Sequence, residues 1–165
     1  MKDNFIQLNK SDILHLPIIT SDGKDTGEYL EFDLEDIELL LKYQELIEKD
    51  KKNRENLNNK MVIISKRQDV KGKKLLSKNQ EDQIKAVKDF FEKETEIYNM
   101  FLGKNGVQKL LNGRSLGWTS LKEIDEIIIN QILPKLEVNT EIVKEKITKK
   151  YGQVLDKNEE IEVVE

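Results

Sequence analysis

The stretch Ser77–Gly103, SKNQEDQIKAVKDFFEKETEIYNMFLG, decides the fold because it has the clearest helical pattern in the chain. Ser77 and Gln80 have the spacing of a capping box, in which the serine side chain accepts the backbone N–H of residue 80. Gly103 predicts the end of the helix, since glycine readily takes the positive φ of a helix C-terminus. Apolar residues recur on one broad face: Ile84, Val87, Phe90, Phe91, Ile97, Tyr98, Phe101 and Leu102.

A second helical segment precedes this one, from about Leu34 to Gln68, with Asp33 as its predicted N-cap. Helical spacing of apolar residues is kept at first by Ile37, Leu40, Leu41 and Ile47, and later by Leu57, Met61 and Ile64. Between these groups, residues 49–60 are almost wholly polar and rich in asparagine. The pattern leaves open whether one long helix continues or breaks at residues 53–60. This stretch has little to bury and is predicted to project outward.

Two strands are predicted upstream, Ile13–Thr20 and Glu28–Asp33, around a turn marked by Asp22-Gly23. Pro17 cannot donate to a neighbouring strand, so the first strand is predicted at a sheet edge. A hairpin alone is marginal in water, and its apolar face is therefore predicted to rest on the helices. The pattern leaves open whether the strands exchange between chains. Alternating apolar residues are Leu14, Leu16 and Ile18, then Leu30, Phe32 and Leu34, and a short third strand is suggested by Phe5, Ile6 and Leu8.

Shorter helices are predicted after Gly103. One spans Gly106–Leu111 and is closed by Gly113, and another follows a capping box at Ser120 and is stopped by Pro134. The second has a predicted buried stripe of Leu121, Ile124, Ile127, Ile128 and Ile132, and a last helix is predicted over 141–151. The predicted fold class is α+β, mainly α, with an N-terminal hairpin (about 13–33) packed on four to five helices. One domain is predicted over 1–152, followed by an acidic, flexible tail over 153–165.

Composition narrows the class of function. The 165 residues include 28 basic and 32 acidic ones, giving a net charge of −4, which argues against general nucleic-acid binding. The chain has no cysteine, so disulfide and thiolate chemistry are excluded. No apolar run approaches the roughly 20 residues that span a bilayer, and a cytoplasmic location is expected. Residues 66–79 hold six basic residues and one acid, and the lack of aromatic residues there gives base stacking little support.

No catalytic, cofactor or metal motif is apparent. His15 is the only histidine and lies in a predicted strand, without an HExxH or Cys/His pattern. Gly23-Lys24 lacks the glycine five residues earlier that a phosphate-binding loop requires, since Ile18 stands there. Acidic pairs are numerous, but 32 acids produce such pairs by chance. We therefore expect a protein that is not an enzyme and that binds no cofactor or metal.

Trp118 is the only tryptophan, and it has two interpretations: an interface anchor, or a core residue just ahead of a helix. Two regions are candidates for contact with a partner protein, one around Phe101–Trp118 and one in the polar helix, where exposed apolar side chains are expected. The candidate partner-binding residues are Leu57, Met61, Phe101, Leu102, Leu110, Leu111 and Trp118.

The order of these segments resembles that of the tail assembly chaperones of long-tailed phages and prophages of Gram-positive bacteria. The resemblance lies in the hairpin followed by Glu31-Phe32-Asp33-Leu34, the charged helices, and FLGKNG (101–106) leading to KLLNG (109–113). In that family a long helix often ends in an aromatic-Gly element, and a small helix then closes in an apolar-aromatic-Gly element. Leu102-Gly103 and Leu111-Asn112-Gly113 occupy those places here.

The resemblance implies a non-catalytic, mostly helical protein that coats the tape measure protein before the tail tube polymerises. It also implies self-association along that client and, in many such families, a longer form made by ribosomal frameshift near the C-terminus. Three alternatives remain at this point: a structural virion component of the tail or neck, a helical adaptor domain of another kind, and an enzyme or nucleic-acid-binding protein without a recognisable motif. Retention in mature particles separates the first alternative from a chaperone.

Overall fold

The computed structural model describes residues 4, 6–7, 13–136 and 148–150. The described chain forms an N-terminal two-stranded hairpin followed by helices, so the predicted α+β, mainly α, class is confirmed. The chain divides into two compact units, Met1–Leu116 and Gly117–Glu165. The prediction of one domain over 1–152 stays a prediction. Some predictions lie outside the described residues, namely the acidic tail over 153–165, most of the helix over 141–151, and Phe5 and Leu8 of the suggested third strand.

The hairpin of the first unit buries one face, as its alternating pattern predicts. Strands β1 (Ile13–Ile19) and β2 (Asp25–Asp33) pair antiparallel. Leu30 and Phe32 of β2 are buried, and the Phe32 ring centroid lies 5.4 Å from that of Phe101, which belongs to a helix of the same unit. The predicted packing of the hairpin on the helices is therefore confirmed.

The turn of the hairpin is shorter than predicted. The chain reverses over residues 20–24, where the N–H of Thr20 donates to the carbonyl of Lys24 at 2.8 Å. Gly23 takes φ +84° in this turn, a backbone conformation that glycine adopts without a steric penalty. Strand β2 consequently begins at Asp25, three residues before the predicted Glu28.

Helix α1 (Leu39–Lys66) is one uninterrupted helix of 28 residues, so the polar stretch at 53–60 does not break it. One face of this stretch packs against α2, in contrast to the predicted projection, while most of its side chains are exposed. The buried positions of α1 follow each other at spacings of three, four and seven residues, which keep them on one face: Tyr43, Leu46, Asp50, Leu57 and Ile64. Two of these positions, Asp50 and Leu57, lie within the polar residues 49–60.

The predicted start of α1 is wrong, and so is the first part of its predicted buried face. Asp33 does not cap the helix, because its side chain accepts the N–H of Glu35 in a preceding turn. The first residues of the predicted apolar stripe are exposed, as is the predicted inward residue of the second strand: Leu34, Ile37, Leu40 and Leu41. Ile47 is half-buried, and the later predicted positions Leu57 and Ile64 are buried. The buried face of α1 starts at Tyr43 and Leu46 and stays in line with these later positions.

Helix α2 (Lys78–Leu102) begins with the predicted capping box. The Ser77 Oγ accepts the N–H of Gln80 at 3.2 Å, and the N–H of Ser77 donates to the Gln80 Oε1 at 2.9 Å. Most of the predicted face is buried or half-buried, but Ile84 is exposed. Ile84 lies about 200° around the helix from the buried Ala86, and only one of these two positions can face α1.

Helices α1 and α2 form an antiparallel pair. At one end the ring centroids of Tyr43 and Phe101 lie 5.1 Å apart. At the other end the Asn79 Nδ2 donates to the Ile64 carbonyl at 3.2 Å. The side chains buried along this pair form the main core of the first unit, and each fully buried large apolar side chain contributes roughly 1.5–3 kcal/mol.

Helix α3 (Gly106–Leu111) follows a tight connection and matches its predicted bounds. Gly103 has φ +93° and ψ 179°, so it has the positive φ expected of a cap but not the left-handed helical conformation. The Asn99 Oδ1 accepts the N–H of Val107 at 2.8 Å and ties the start of α3 to α2. Gly106 is buried against α2, where an added Cβ would lie 2.5 Å from the Leu102 Cβ.

The second unit contains α4 (Trp118–Ile127), a π-helical turn (Ile128–Ile132) and a 3₁₀ turn (Leu133–Leu136). The predicted stripe is confirmed, with Ile127 half-buried and the other four residues buried. The helix starts three residues earlier than predicted. Gly117 is its N-cap, and the Ser120 Oγ accepts the N–H of Gly117 at 2.8 Å instead of capping the helix itself. The Lys150 Nζ lies 3.1 Å from the buried Asp125 carboxylate.

We predict that Gly106→Ala destabilises the protein by about 1–3 kcal/mol, because the new methyl group overlaps the Cβ of Leu102 and α3 must shift away from α2. The matched control is Gly72→Ala, where an added Cβ meets nothing within 4 Å. Urea unfolding followed by circular dichroism measures both variants. Equal free energies of unfolding for the two variants would contradict the tight approach of α3 to α2.

Candidate protein-binding surface

A groove runs between α1 and α2 and encloses about 500 Å³. Its apolar lining comes from Leu57 and Ile63 of α1 and from Ala86 and Phe90 of α2. Three asparagines of α1 add amide groups, and charged side chains of both helices complete the wall: Asn53, Asn56, Asn59, Lys60, Asp89 and Lys93. An apolar floor with polar groups at its sides is the usual composition of a groove that accepts side chains of a partner helix.

Buried polar contacts hold the floor of the groove. The Glu94 side chain is completely buried, and its Oε1 accepts a hydrogen bond of 2.9 Å from the Asn53 Nδ2. The same amide nitrogen donates to the Phe90 carbonyl at 3.1 Å. Asn53 therefore links α1 to two successive turns of α2, and a buried carboxylate needs such donors to offset its loss of water.

A charged pair lies one turn away from this amide. The Arg54 Nε is 3.1 Å from the Oδ1 of the buried Asp50, and the Arg54 guanidinium carbon is 5.8 Å from the centroid of the Phe90 ring. The pair places a planar cation over an aromatic face beside the groove, a contact that contributes on the order of 1 kcal/mol. The position of the Phe90 ring in the floor is thus fixed from both α1 and α2.

The structure places the predicted partner-binding residues in different environments. Leu57 lies in the groove but is only 7% exposed, so the expectation that it is an exposed side chain is wrong. Met61 and Leu110 are half-buried, and Trp118 is 49% exposed, which excludes its interpretation as a buried core residue. Three further candidates are core residues of the first unit: Phe101, Leu102 and Leu111.

The sequence interpretation missed Asn53, Asn56 and Asn59, because asparagine-rich segments are normally solvated. One signal was present. Asp50 and Asn53 continue the line that starts at Tyr43 and Leu46, with the same alternation of three- and four-residue steps. If the line from Tyr43 and Leu46 is continued at this spacing, whether or not the residues are apolar, it marks the face of α1 that contacts α2.

Near the start of α1 a second surface combines exposed apolar side chains with carboxylates. We define it as the acidic end, residues 28–41, which hold six acidic residues and no basic one. Ile37 is 93% exposed, and Leu34, Leu40 and Leu41 are exposed beside it in sequence. The Lys42 Nζ donates to the Asp36 Oδ2 at 2.8 Å, and this hydrogen bond holds the pKa of Asp36 below its usual value.

The loop between α1 and α2 forms a third surface, which we define as the basic loop, residues 66–78. Asp82 of α2 accepts hydrogen bonds from Arg67 at 2.7 Å and lies 3.2 Å from Lys78. These two cations hold the pKa of Asp82 below its usual value, with the Arg67 hydrogen bond as the largest cause. A hydrogen bond from Ser77 is the main cause that lowers the pKa of Asp69 within the loop. The loop therefore contacts acidic side chains of its own chain.

In the part of the chain that the structure describes, no group of three or more His, Cys, Asp or Glu side chains is placed to hold a metal ion. The same residues contain no helix that is both long enough and apolar enough to cross a membrane. His15 lies on the hairpin, where its Nδ1 is 3.2 Å from the Glu31 Oε1 and its ring is 4.4 Å from that of Tyr29.

Comparison of the chain with protein-family models, with curated proteins and with solved structures gave no match.

We predict that Asn53→Ala destabilises the protein by about 1–3 kcal/mol, because the buried Glu94 carboxylate loses a hydrogen-bond donor. Asn56→Ala is the control, since Asn56 lines the same groove but is exposed, and its effect is expected to stay within about 0.5 kcal/mol. Chemical denaturation measures both. A cost for Asn53→Ala no larger than that of the control would show that this amide does not hold the two helices together.

We also predict that Asp82→Asn lowers the thermal unfolding midpoint at pH 7 and that its difference from the unsubstituted protein shrinks below roughly pH 4. The pKa of Asp82 is lowered in the folded protein, so its stabilisation is present above the unfolded-state pKa and is lost as the pH falls through the folded-state pKa. Asp89→Asn on the same helix is the control. A difference that does not change with pH would contradict an electrostatic origin.

Proposed function

We propose that this chain is a non-catalytic, protein-binding chaperone of phage tail assembly, which covers the tape measure protein in the host cytoplasm before the tail tube polymerises. The observation that carries the proposal is the groove between α1 and α2, with its apolar floor and amide-rich wall. The order of hairpin, long helices and glycine-closed short helix adds the resemblance to tail assembly chaperones.

The groove suits a helical client that presents an apolar stripe. Side chains spaced three or four residues apart on such a client would enter the groove over Leu57 and Phe90 and contact Ile63 at its side. The asparagine amides could then donate to or accept from polar groups along the edge of the stripe. No reactive group is needed for this work, since covering the stripe is itself the function.

The size of the groove is consistent with a client that must later be released. A volume of about 500 Å³ accommodates only a few side chains, and each buried apolar side chain contributes roughly 1.5–3 kcal/mol before the cost of association is subtracted. A single groove of this size gives modest affinity. Coverage of a long client then depends on many copies of the chaperone, each holding a short segment that the tube proteins can displace.

We predict that Ile63→Glu reduces capture of the tape measure protein at least tenfold in a co-expression pull-down with the tape measure protein of the same genome. Ile63 lines the groove and is 63% exposed, so a carboxylate there opposes apolar side chains of the client without disturbing the core. Val62→Glu is the matched control, because Val62 is the exposed neighbour on α1 that does not line the groove.

Both variants must keep the circular dichroism spectrum and unfolding midpoint of the unsubstituted protein. Equal loss of capture in the two variants would show that the groove is not the binding surface. Failure of the unsubstituted protein to capture the tape measure protein, together with its retention in purified particles, would replace the chaperone proposal with a structural virion component.

A further inference from the structure

The two surfaces at the ends of α1 are complementary in charge, and both expose apolar side chains. The acidic end has six carboxylates and no basic residue, whereas the basic loop has six basic residues and one acid. Ile37 at the acidic end and Leu75 in the basic loop are 93% and 92% exposed. Val70 of the basic loop is also exposed. Each end thus combines apolar area with a strong charge of one sign, as protein-binding surfaces commonly do.

The charge on each surface is only partly compensated within the chain. At the acidic end Asp36 is paired with Lys42. Glu28 lies 4.0 Å from Lys109, and Glu31 lies 3.2 Å from His15. Glu35 and Glu38 form no ion pair among the described residues. In the basic loop, Arg67, Lys74 and Lys78 contact acids of α2. Lys71 and Lys73 have no ion-pair partner in the same described part of the chain.

One molecule cannot bring its own two ends together. They are separated by the uninterrupted helix α1, whose length from Leu40 to Lys66 is about 40 Å at 1.5 Å per residue. Charges this far apart across solvent are screened, since the Debye length is about 8 Å at physiological ionic strength. The opposite surface that each end fits must therefore come from another molecule.

We propose that the acidic end of one copy of this chain binds the basic loop of a second copy, so that the protein associates head to tail. In this contact Ile37 and Leu41 would meet Val70 and Leu75, with Glu35 and Glu38 facing Lys71 and Lys73. The contact uses two different surfaces and leaves one of each unoccupied in every dimer. It therefore adds further copies in the same direction, as heterologous interfaces do.

The contact is independent of the proposed client, because neither surface includes the groove. The contact is expected to weaken as the salt concentration rises, since ion pairs at the rim of an interface weaken as screening increases. Sedimentation velocity of the full chain is expected to show an average mass that rises with protein concentration and falls as the salt concentration is raised from 50 to about 500 mM, a range over which the Debye length shrinks more than threefold.

Two variants with one blocked end each provide the decisive test. Ile37→Lys with Leu41→Lys blocks the acidic end, and Val70→Glu with Leu75→Glu blocks the basic loop, in each case at exposed positions. Each variant alone is expected to remain a monomer at concentrations where the unsubstituted chain associates. Mixing the two variants is expected to give a species of two chains and nothing larger, because only one acidic end and one basic loop remain available per pair.

Lys88→Glu is the charge control, since it makes the same net change as the blocked basic loop but lies on an exposed face in the middle of α2. It should associate like the unsubstituted chain, and circular dichroism should be unchanged in every variant. The proposal is overturned if the unsubstituted chain stays monomeric, if either blocked variant still dimerises alone, or if the mixture does not associate. Binding of a basic, leucine-rich helical peptide by a chain that stays monomeric would likewise overturn it, by making that peptide the occupant of the acidic end.

Discussion

The hydrogen bond between the Asn53 amide and the buried Glu94 carboxylate is the constraint on which the first unit depends. It lies midway along α1 and α2, where an apolar contact would allow the helices to slide by a turn. A buried carboxylate opposes such sliding, because moving away from Asn53 removes a hydrogen-bond donor from a group that has lost its water. The aromatic contact at one end of the helix pair and the Asn79 contacts at the other are consistent with the alignment that this hydrogen bond sets. The groove lies directly over this hydrogen bond.

The sequence predicts most of the elements, because caps, glycines and apolar spacing are local signals. Ser77 begins α2 as its capping box indicates, and the stripe from Leu121 to Ile132 is buried as its period indicates. The buried face of α1 was not predictable in this way. Apolar periodicity selected Ile37, Leu40 and Leu41, whereas the helix buries a line that includes Asp50, with the half-buried Asn53 on the same line. The partner helix contributes to this face, since Asn53 lies where the Phe90 carbonyl and the Glu94 carboxylate of α2 accept its hydrogen bonds.

The candidate site shows the same limit. Leu57 was predicted to contact a partner, and it does line the groove. It was predicted as an exposed anchor, however, whereas it is buried in the floor of the groove. From sequence alone, the asparagines that line the groove are predicted to be solvated, and Phe90 is predicted to be a core residue. Only their arrangement across two antiparallel helices makes a surface, and that arrangement depends on contacts between residues 30 to 50 positions apart.

The distribution of charge along α1 also matches the electrostatics of the helix itself. Asp36 and Glu38 precede its N-terminus, and Lys66 and Arg67 lie at its C-terminus, so each end has the sign that stabilises a helix macrodipole. These charges help a largely polar helix of 28 residues to remain continuous. The two ends of α1 thus carry charges of opposite sign. The electric field of a charged neighbour rotates such a molecule before the two make contact. The direction of approach is therefore selected during diffusion and not only in the final contact.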